Sequence, residues 1–269
     1  MSEESQRIFY IYIKVMNKKK ILLGVFAVVG CLSAQAQIGE HRNDFSIGAN
    51  GGYVMSNVKF QPDVTQKQHG GMVGGFSVKY VCEKYFKTIC SVYAEVNYAQ
   101  VGWKEDILDI DNKPVVITDT QQPMAYSRTI NYVQVPLMAH LAWGRETRGL
   151  NIFVNAGPQF GFYLSDKATS NFNVEHMPAT DNARVNSVVA QDTMSVKNKF
   201  DYGIALGLGA EYSIPKVGHI LLEARYYYGL GNIYGSSKRD YFGTSNYNQI
   251  VVKLAYLFDI TRTKNVKRK

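Results

Sequence analysis

Apolar and polar side chains alternate with a period of two over a stretch that is long for a β-strand. From Phe200 to Ile214 every second residue is apolar or aromatic, and the residues between them are small or polar. After a tight turn at residues 215–218 the same alternation resumes as far as Tyr228. An ordinary strand has ~5–6 residues, whereas a strand that crosses a bilayer needs ~9–11 tilted residues. The pattern therefore predicts a hairpin with one face against lipid, closed with other strands into a barrel.

Six further stretches share this alternation, which brings the predicted strands to eight: residues 44–55, 70–81, 88–102, 128–143, 150–165 and 247–258. Short connections between them alternate with long polar ones, as in outer-membrane barrels with periplasmic turns and external loops. We therefore predict an all-β fold, an eight-stranded antiparallel transmembrane β-barrel over residues 44–258, with both termini in the periplasm. A soluble barrel with an apolar interior is the alternative. Pro136 predicts a bulge or local break in its strand.

The N-terminal region has the three parts of a secretory signal peptide. Met16 precedes a basic segment, an apolar run follows at residues 21–30, and Ala34-Gln35-Ala36 forms a cleavage site. We expect cleavage between Ala36 and Gln37. Residues 1–36 are then an N-terminal extension and signal peptide, with Met16 as the true start, and residues 37–43 are a short mature segment. A lipobox at residues 28–31, which would make Cys31 a lipidated N-terminus, is the alternative.

The composition is typical of a membrane barrel, with 19 tyrosines and 23 glycines among 269 residues. Tyrosine is favoured in strands and at membrane interfaces. The mature region has no uncharged apolar stretch of ~18–20 residues, which excludes a transmembrane helix. The formal charge of +8 comes largely from the two ends of the chain, so we predict no nucleic-acid-binding surface. The basic tail at residues 259–269 would either meet an acidic periplasmic partner or remain a solvated end.

Strand parity places ionisable side chains in the barrel interior. Glu223 and Arg225 are two residues apart on one face, and we expect them to pair with Glu211 and Lys253 on the adjacent strands. The expected lumen charge network consists of Lys79, Glu95, Glu211, Glu223, Arg225 and Lys253. His140 and Asp201 share this parity. Two roles remain open, a structural network that fills the lumen and an acid–base or ligand path.

The mature region keeps two cysteines, Cys82 and Cys90, on either side of a short turn. A cross-turn disulfide and two unpaired thiols both agree with this position. The spacing of the cysteines does not match a zinc site, and we predict no metal or cofactor. The five histidines lie outside any catalytic motif. We therefore predict no enzymatic activity and no catalytic residues.

Three features together resemble the PorT family of outer-membrane β-barrels of the Bacteroidota. They are the A-Q-A-Q processing site, the segment Asn131–Leu137 (N-Y-V-Q-V-P-L), and the glycine-rich strand followed by the P-K-V-G turn and a tyrosine-rich strand. The resemblance covers about residues 40–260. It implies an outer-membrane location and a non-enzymatic accessory role in protein secretion and maturation by the type IX secretion system.

The resemblance further implies that secretion-system partners bind through loops, turns or the basic tail, and it implies no catalytic residues. Two other functions remain open. One is a structural or adhesive outer-membrane barrel with no transport role. The other is a barrel enzyme that acts on lipid, although no set of histidine, serine and acid at the outer rim supports it.

Overall fold

The computed structural model describes residues 39–145, 148–185, 189–235 and 240–263. The predicted signal peptide with its cleavage site at Ala36 and Gln37, the cysteine Cys31 and the tail from Lys264 onward lie outside the described residues. Within the described residues, no helix is long and apolar enough to cross a membrane. The elements are β1 (Glu40–Gln61), β2 (Gln66–Lys67), β3 (His69–Tyr85), β4 (Thr88–Glu105), β5 (Val116–Ile117), β6 (Gln122–Pro123), β7 (Tyr126–Trp143), β8 (Gly149–Ser170), α1 (Ala190–Thr193), β9 (Phe200–Ile214), β10 (Gly218–Gly229) and β11 (Thr244–Thr261).

Eight long strands of the described chain form one antiparallel barrel, in the order β4-β3-β1-β11-β10-β9-β8-β7, with β7 returning to β4. The seam between β1 and β11 closes the sheet, and Gly48 lies opposite Leu257 there. The strands approach each other so closely at this point that a Cβ on Gly48 would lie 1.7 Å from the carbonyl oxygen of Tyr256. The prediction of an all-β, eight-stranded antiparallel barrel is confirmed.

The two faces of the barrel wall differ as the alternation predicted. Large apolar side chains point outward, and Met72, Phe76 and Leu208 are 67%, 73% and 66% exposed. Polar and charged side chains point inward, where Glu95 and Lys253 are each only 2% exposed. A soluble barrel would bury its apolar face. The exposed apolar band therefore matches a wall surrounded by lipid.

The strands are longer than the sequence predicted, mainly at the end of the barrel that carries the long loops. We call this the loop end, and the opposite end, with the connections near residues 86–87, 144–145 and 215–217, the turn end. β1 continues to Gln61, and β8 continues to Ser170. At the turn end, residues 40–43 and 259–261 belong to β1 and β11. In the extension of β1 the alternation continues with its sense reversed, because the apolar residues Val58 and Phe60 face the interior and are buried.

Pro136 interrupts strand pairing without shifting the register. Ala94 pairs with Leu137 and Asn97 with Gln134 in the same register, while the positions between them are unpaired. The prediction of a local break at this proline is therefore correct, and a bulge does not form. Proline lacks the N–H group that the ladder would use, which explains the gap.

Candidate functional site

The lumen contains a cluster of four charged side chains at the level of Glu223 and Lys253, which lie opposite each other on β10 and β11. Arg225 Nη1 donates to Glu95 Oε2 over 2.9 Å, and Arg225 Nε donates to Glu223 Oε1 over 2.9 Å. Lys253 Nζ also contacts Glu95 and lies 3.2 Å from Glu223 Oε2. Two carboxylates thus meet two cations, and all four side chains are at most 3% exposed. Such mutual pairing is what allows charges to stay ionised away from water.

A second cluster lies closer to the turn end and centres on Glu211. Lys79 Nζ donates to Glu211 Oε1 over 2.6 Å. His219 Nδ1 lies 2.7 Å from the same oxygen, and His140 Nε2 lies 3.4 Å from Oε2. His219 Nε2 in turn lies 3.0 Å from Asp259 Oδ1. One carboxylate therefore joins side chains from β3, β7 and β10.

Asparagine side chains connect and extend the two clusters. Asn155 Oδ1 lies 2.7 Å from His140 Nδ1, and Asn155 Nδ2 donates to Glu223 Oε1 over 3.0 Å. On the other side, Asn97 Nδ2 donates to Glu95 Oε2 over 2.8 Å. The result is a continuous polar network across the lumen, in which both the oxygen and the nitrogen of each of these amide groups are hydrogen-bonded.

The structure therefore brings all six residues of the expected lumen charge network into the interior. The expected pair of Glu223 and Lys253 is present, with Lys253 Nζ 3.2 Å from Glu223 Oε2. Glu211, by contrast, is bound by Lys79 from across the barrel and not by Arg225. Glu95 is the partner of Arg225. Period-two parity sets which face a residue occupies, whereas pairs across the lumen depend on strand tilt and register.

Sequence reasoning missed His219 as part of this network, because it considered the histidines only against catalytic motifs. Its parity on β10 is that of Glu223 and Arg225, and this signal could have found it. Asp201, expected in the interior, accepts a hydrogen bond from the hydroxyl of Tyr227 over 2.7 Å.

Aromatic side chains fill the lumen between the charge network and the loop end. The rings of Tyr132 and Tyr247 meet edge to face at 5.8 Å. Nearer the loop end, Phe60 packs against Trp103 at 5.4 Å and against Phe242 at 4.8 Å. These rings are at most 3% exposed. An eight-stranded barrel leaves an interior just wide enough for its own side chains, and here bulky rings occupy it.

The connection between β4 and β7 and the one between β8 and β9 pack against each other at the loop end. Backbone hydrogen bonds join Thr118 N to Ala179 O and Asp181 N to Val116 O, each over 3.0 Å. Asn182 Nδ2 donates to Asp109 Oδ2 over 2.6 Å. This hydrogen bond and the N–H of Lys113 lower the pKa of the Asp109 carboxyl. The two connections are thus one ordered unit, which we call the cap (residues 106–125 and 171–185).

Arg128 connects the barrel wall to the loop end, because it forms a salt bridge with Asp166 on β8 and also contacts Tyr234 in the segment after β10. Arg128, on β7, donates from Nη2 to Asp166 Oδ2 over 2.6 Å. Its Nη1 lies 3.3 Å from the hydroxyl of Tyr234, and its guanidinium lies 5.8 Å from the ring centroid of Trp103. The side chain of Arg128 is only 7% exposed. A planar, bidentate cation is well suited to such a site.

Two buried carboxyl groups meet beneath the cap. Arg184 Nη2 donates to Glu105 Oε2 over 2.8 Å, and Gln191 Nε2 donates to Glu105 Oε1 over 2.5 Å. Asp192 adjoins this group, 3.9 Å from Arg184 Nη1. Burial, and then the neighbouring Glu105 carboxyl, raise the pKa of Asp192 to about 8, against the opposing effect of Arg184. Sequence reasoning missed this cluster because the connection that carries Arg184, Gln191 and Asp192 lacks periodicity.

The cysteines lie near the turn end, with Cys90 opposite Glu83 across a register shift between β3 and β4. Both Cys82 and Cys90 are free thiols in the structure. Among the described residues no group of three or more histidine, cysteine or acidic side chains is arranged to hold a metal ion.

Comparisons with known proteins point to one family. Residues 35–235 match the sequence profile of a family described as outer membrane protein beta-barrel domain. A comparison with curated proteins found no match.

Solved structures of several surface proteins are similar to this chain. Neisserial surface protein A is 9% identical over 80% of this chain and 96% of its own, with a TM-score of 0.38. OprG from Pseudomonas aeruginosa is 15% identical over 82% and 98%, with a TM-score of 0.32. Ail, the attachment invasion locus protein of Yersinia pestis, is 15% identical over 81% and 99%, with a TM-score of 0.31. Because these TM-scores are low, the fold assignment rests on the family match and on the strand pairing of this chain.

Proposed function

The chain belongs to the outer membrane protein beta-barrel domain family, and from that premise we propose that it is a non-conducting, non-enzymatic barrel that binds a partner through its cap. The observation that carries this proposal is the order of the loop end, where two long connections form one hydrogen-bonded unit. Loops without such contacts would be disordered, because fixing a long chain segment costs conformational entropy. An ordered cap offers a preformed surface, which lowers the entropic cost of binding.

The cap exposes apolar side chains that a purely structural loop has no need of. Ile110 is 87% exposed and Val185 59% exposed. Val185 N donates to Leu108 O over 3.0 Å, so these side chains stand on neighbouring, connected segments. Exposed apolar side chains grouped on an ordered surface are typical of protein contact sites.

The filled lumen supports a role without transport. Six buried charged side chains pair across it, and aromatic rings occupy the space towards the loop end. We propose that this network is structural and that it closes the barrel to solutes. Reconstituted into planar bilayers, the protein should give no steady conductance above the lipid background. Stable single-channel steps would contradict the proposal.

The family is one of the outer membrane, so lipid surrounds the exposed apolar band. We further propose that the signal peptide is cleaved between Ala36 and Gln37, and that the turn end with both termini faces the periplasm. The short turns and the long loops support this orientation. Protease added to whole cells should then cut within residues 106–125 and spare residues 215–217. The reverse pattern would contradict the orientation.

An accessory role in type IX secretion, with membership of the PorT group of the Bacteroidota, is a second proposal and rests on the sequence resemblance. A filled lumen agrees with an accessory better than with a conduit, since folded or unfolded cargo could not pass it. Of the loops, turns and basic tail that the resemblance implies as binding sites, we propose the turn end or the basic tail for this role. This proposal differs from the first in which end of the barrel meets the partner.

Site-specific photo-cross-linking in cells separates the two proposals. A photoreactive residue at Ile110 reports on the cap, and one at Val217, which is 47% exposed, reports on the turn end. Binding through the cap predicts adducts from Ile110 and none from Val217. Adducts from Val217 alone, with loss of secreted proteins after deletion of the gene, would support the export role and contradict the first proposal.

A further inference from the structure

Aromatic rings on the outer wall mark the loop-end boundary of the exposed apolar band. Phe160, Phe162 and Tyr202 surround Phe200, with ring centroids 6.1, 5.4 and 6.1 Å from it. Phe200 and Tyr202 are 47% and 46% exposed. Aromatic side chains in this position are typical of the membrane–water interface of a barrel. The first residues of β9 therefore lie at the depth of the lipid headgroups.

A pocket of about 470 Å³ opens beside these rings, between the start of β9 and the segment after β10. Its lining includes Lys197, Lys199, Phe200, Tyr202, Leu230 and Asn232. The lining combines two cations with an aromatic and aliphatic wall. It differs from the remainder of the exposed band, which is apolar.

Hydrogen bonds hold the walls of this pocket in place. Asn198 N donates to Ile233 O over 3.0 Å, and Asn198 Nδ2 donates to Asn232 O over 2.8 Å. On the other side, Leu230 N donates to Tyr202 O over 2.8 Å. The segment that carries both lysines is thus fixed against the segment after β10, and the pocket is preformed.

Both lysine side chains keep donors available to a ligand. Lys199 Nζ lies 6.0 Å from the ring centroid of Tyr163. Lys197 Nζ lies 3.0 Å from Asp240 Oδ1, and its side chain is 61% exposed. An ammonium group has three N–H donors. One exposed ion pair contributes little, so Lys197 can exchange it or share it with an anion.

We propose that this pocket binds the phosphate of an anionic lipid headgroup, with Lys197 and Lys199 as its donors and Phe200, Tyr202 and Leu230 in contact with the first part of the acyl chains. A free anion would use only the lysines, whereas a lipid also uses the aromatic wall directly below them. Lysine side chains near a membrane surface attract anionic headgroups by ~1 kcal/mol each. The apolar stem of each lysine lies along the wall while its charge stays in the headgroup layer.

Native mass spectrometry of the purified full-length protein in detergent tests this assignment. The probes are dioleoylphosphatidylglycerol, dioleoylphosphatidylcholine and inorganic phosphate. We compare the wild type with Lys197→Gln/Lys199→Gln, and with Lys104→Gln/Lys113→Gln, which removes two exposed loop-end charges outside the pocket. Heat-modifiable migration on gels identifies the folded barrel in every preparation.

The wild type and the Lys104/Lys113 variant should retain phosphatidylglycerol in preference to phosphatidylcholine. The Lys197/Lys199 variant should lose roughly 10- to 30-fold in that preference. A Lys199→Arg variant should retain it. Equal retention of the two lipids by the wild type, or an unchanged preference in the Lys197/Lys199 variant, would overturn the proposal. Displacement of phosphatidylglycerol by equimolar inorganic phosphate would overturn the lipid as the ligand.

Discussion

Arg225 Nη1 lies 2.9 Å from Glu95 Oε2, and the two residues are 130 positions apart in the chain. The contact crosses the lumen from β10 to β4, two strands that are not neighbours in the sheet. Strand pairing therefore cannot substitute for it. Together with Lys253 and Glu223 it connects opposite walls of the barrel. Removal of any one of these four charges should therefore lower the free energy of unfolding.

The first prediction concerns the balance of this cluster. Glu95→Gln leaves Arg225 and Lys253 with one carboxylate. It should lower the free energy of unfolding by about 3–5 kcal/mol, because a buried cation loses its partner. Glu95→Gln/Lys253→Gln leaves one cation with one carboxylate and should cost less than the single change. Urea unfolding in detergent, followed by intrinsic fluorescence, measures both. Glu175→Gln, on an exposed loop, serves as the control.

A double variant that is as unstable as the sum of its single changes would contradict this prediction. Additivity of that kind is expected of independent sites and not of residues in one network. Lys253→Gln alone completes the cycle.

The second prediction concerns the seam. Gly48→Ala should impair closure between β1 and β11, since its Cβ would lie 1.7 Å from Tyr256 O, a backbone atom that cannot swing away. We expect a loss of about 1–3 kcal/mol or more. Gly51→Ala is the matched control on the same strand, because its Cβ would first meet Val73 O at 3.9 Å. Heat-modifiable migration at increasing temperature reports barrel closure, and equal behaviour of the two variants would contradict the prediction.

The third prediction concerns pH at the loop end. The pKa of Asp192 rises from 3.8 to about 8 in the folded protein. A carboxyl with a raised folded pKa contributes stability that is fully present below 3.8 and is lost as the pH rises through 8. Proteolysis of the connection between β8 and β9 should therefore accelerate by roughly tenfold or more between about pH 5 and about pH 9.

Asp192→Asn should remove most of this pH dependence, because the amide is neutral throughout the range. Asp119→Asn changes an exposed carboxyl on the neighbouring connection and should leave the pH dependence of proteolysis intact. The groups that face Asp192 are Glu105, Arg184 and Arg128, so Glu105→Gln should shift the transition to lower pH. A proteolysis rate that does not change with pH in the wild type would contradict the prediction.

The fourth prediction concerns the cysteines. We expect Cys82 and Cys90 to be unpaired in cells, as they are in the structure. Denatured protein treated with a polymer-linked maleimide, without reductant, should gain two adducts. No adducts would indicate a disulfide between them. A third adduct would come from Cys31 and would contradict cleavage after Ala36.

Sequence alone could predict the barrel and the inward face of each strand, because alternation fixes parity residue by residue. The parity of Lys79, Glu95 and Lys253 predicts their place in the interior. Sequence alone could not predict which charges meet across the lumen, since strand tilt and stagger set those distances. The pairing of Glu211 with Lys79 shows this limit.

The cap was also beyond prediction, for a different reason. Asp109 and Asn182 lie in polar connections without periodicity, and each is unremarkable in its own segment. Their contact joins loops 73 positions apart. The same holds for Glu105 and Asp192, where a strand end meets a short helix.

The seam between the first and last strands also has a kinetic meaning. Asn43 N donates to Thr263 Oγ1 over 2.9 Å across 220 positions of sequence. The first long strand therefore has no partner on one edge until nearly the whole described chain is available. Contacts so distant in sequence form late and slowly, and an unpaired apolar edge is prone to aggregate while it waits.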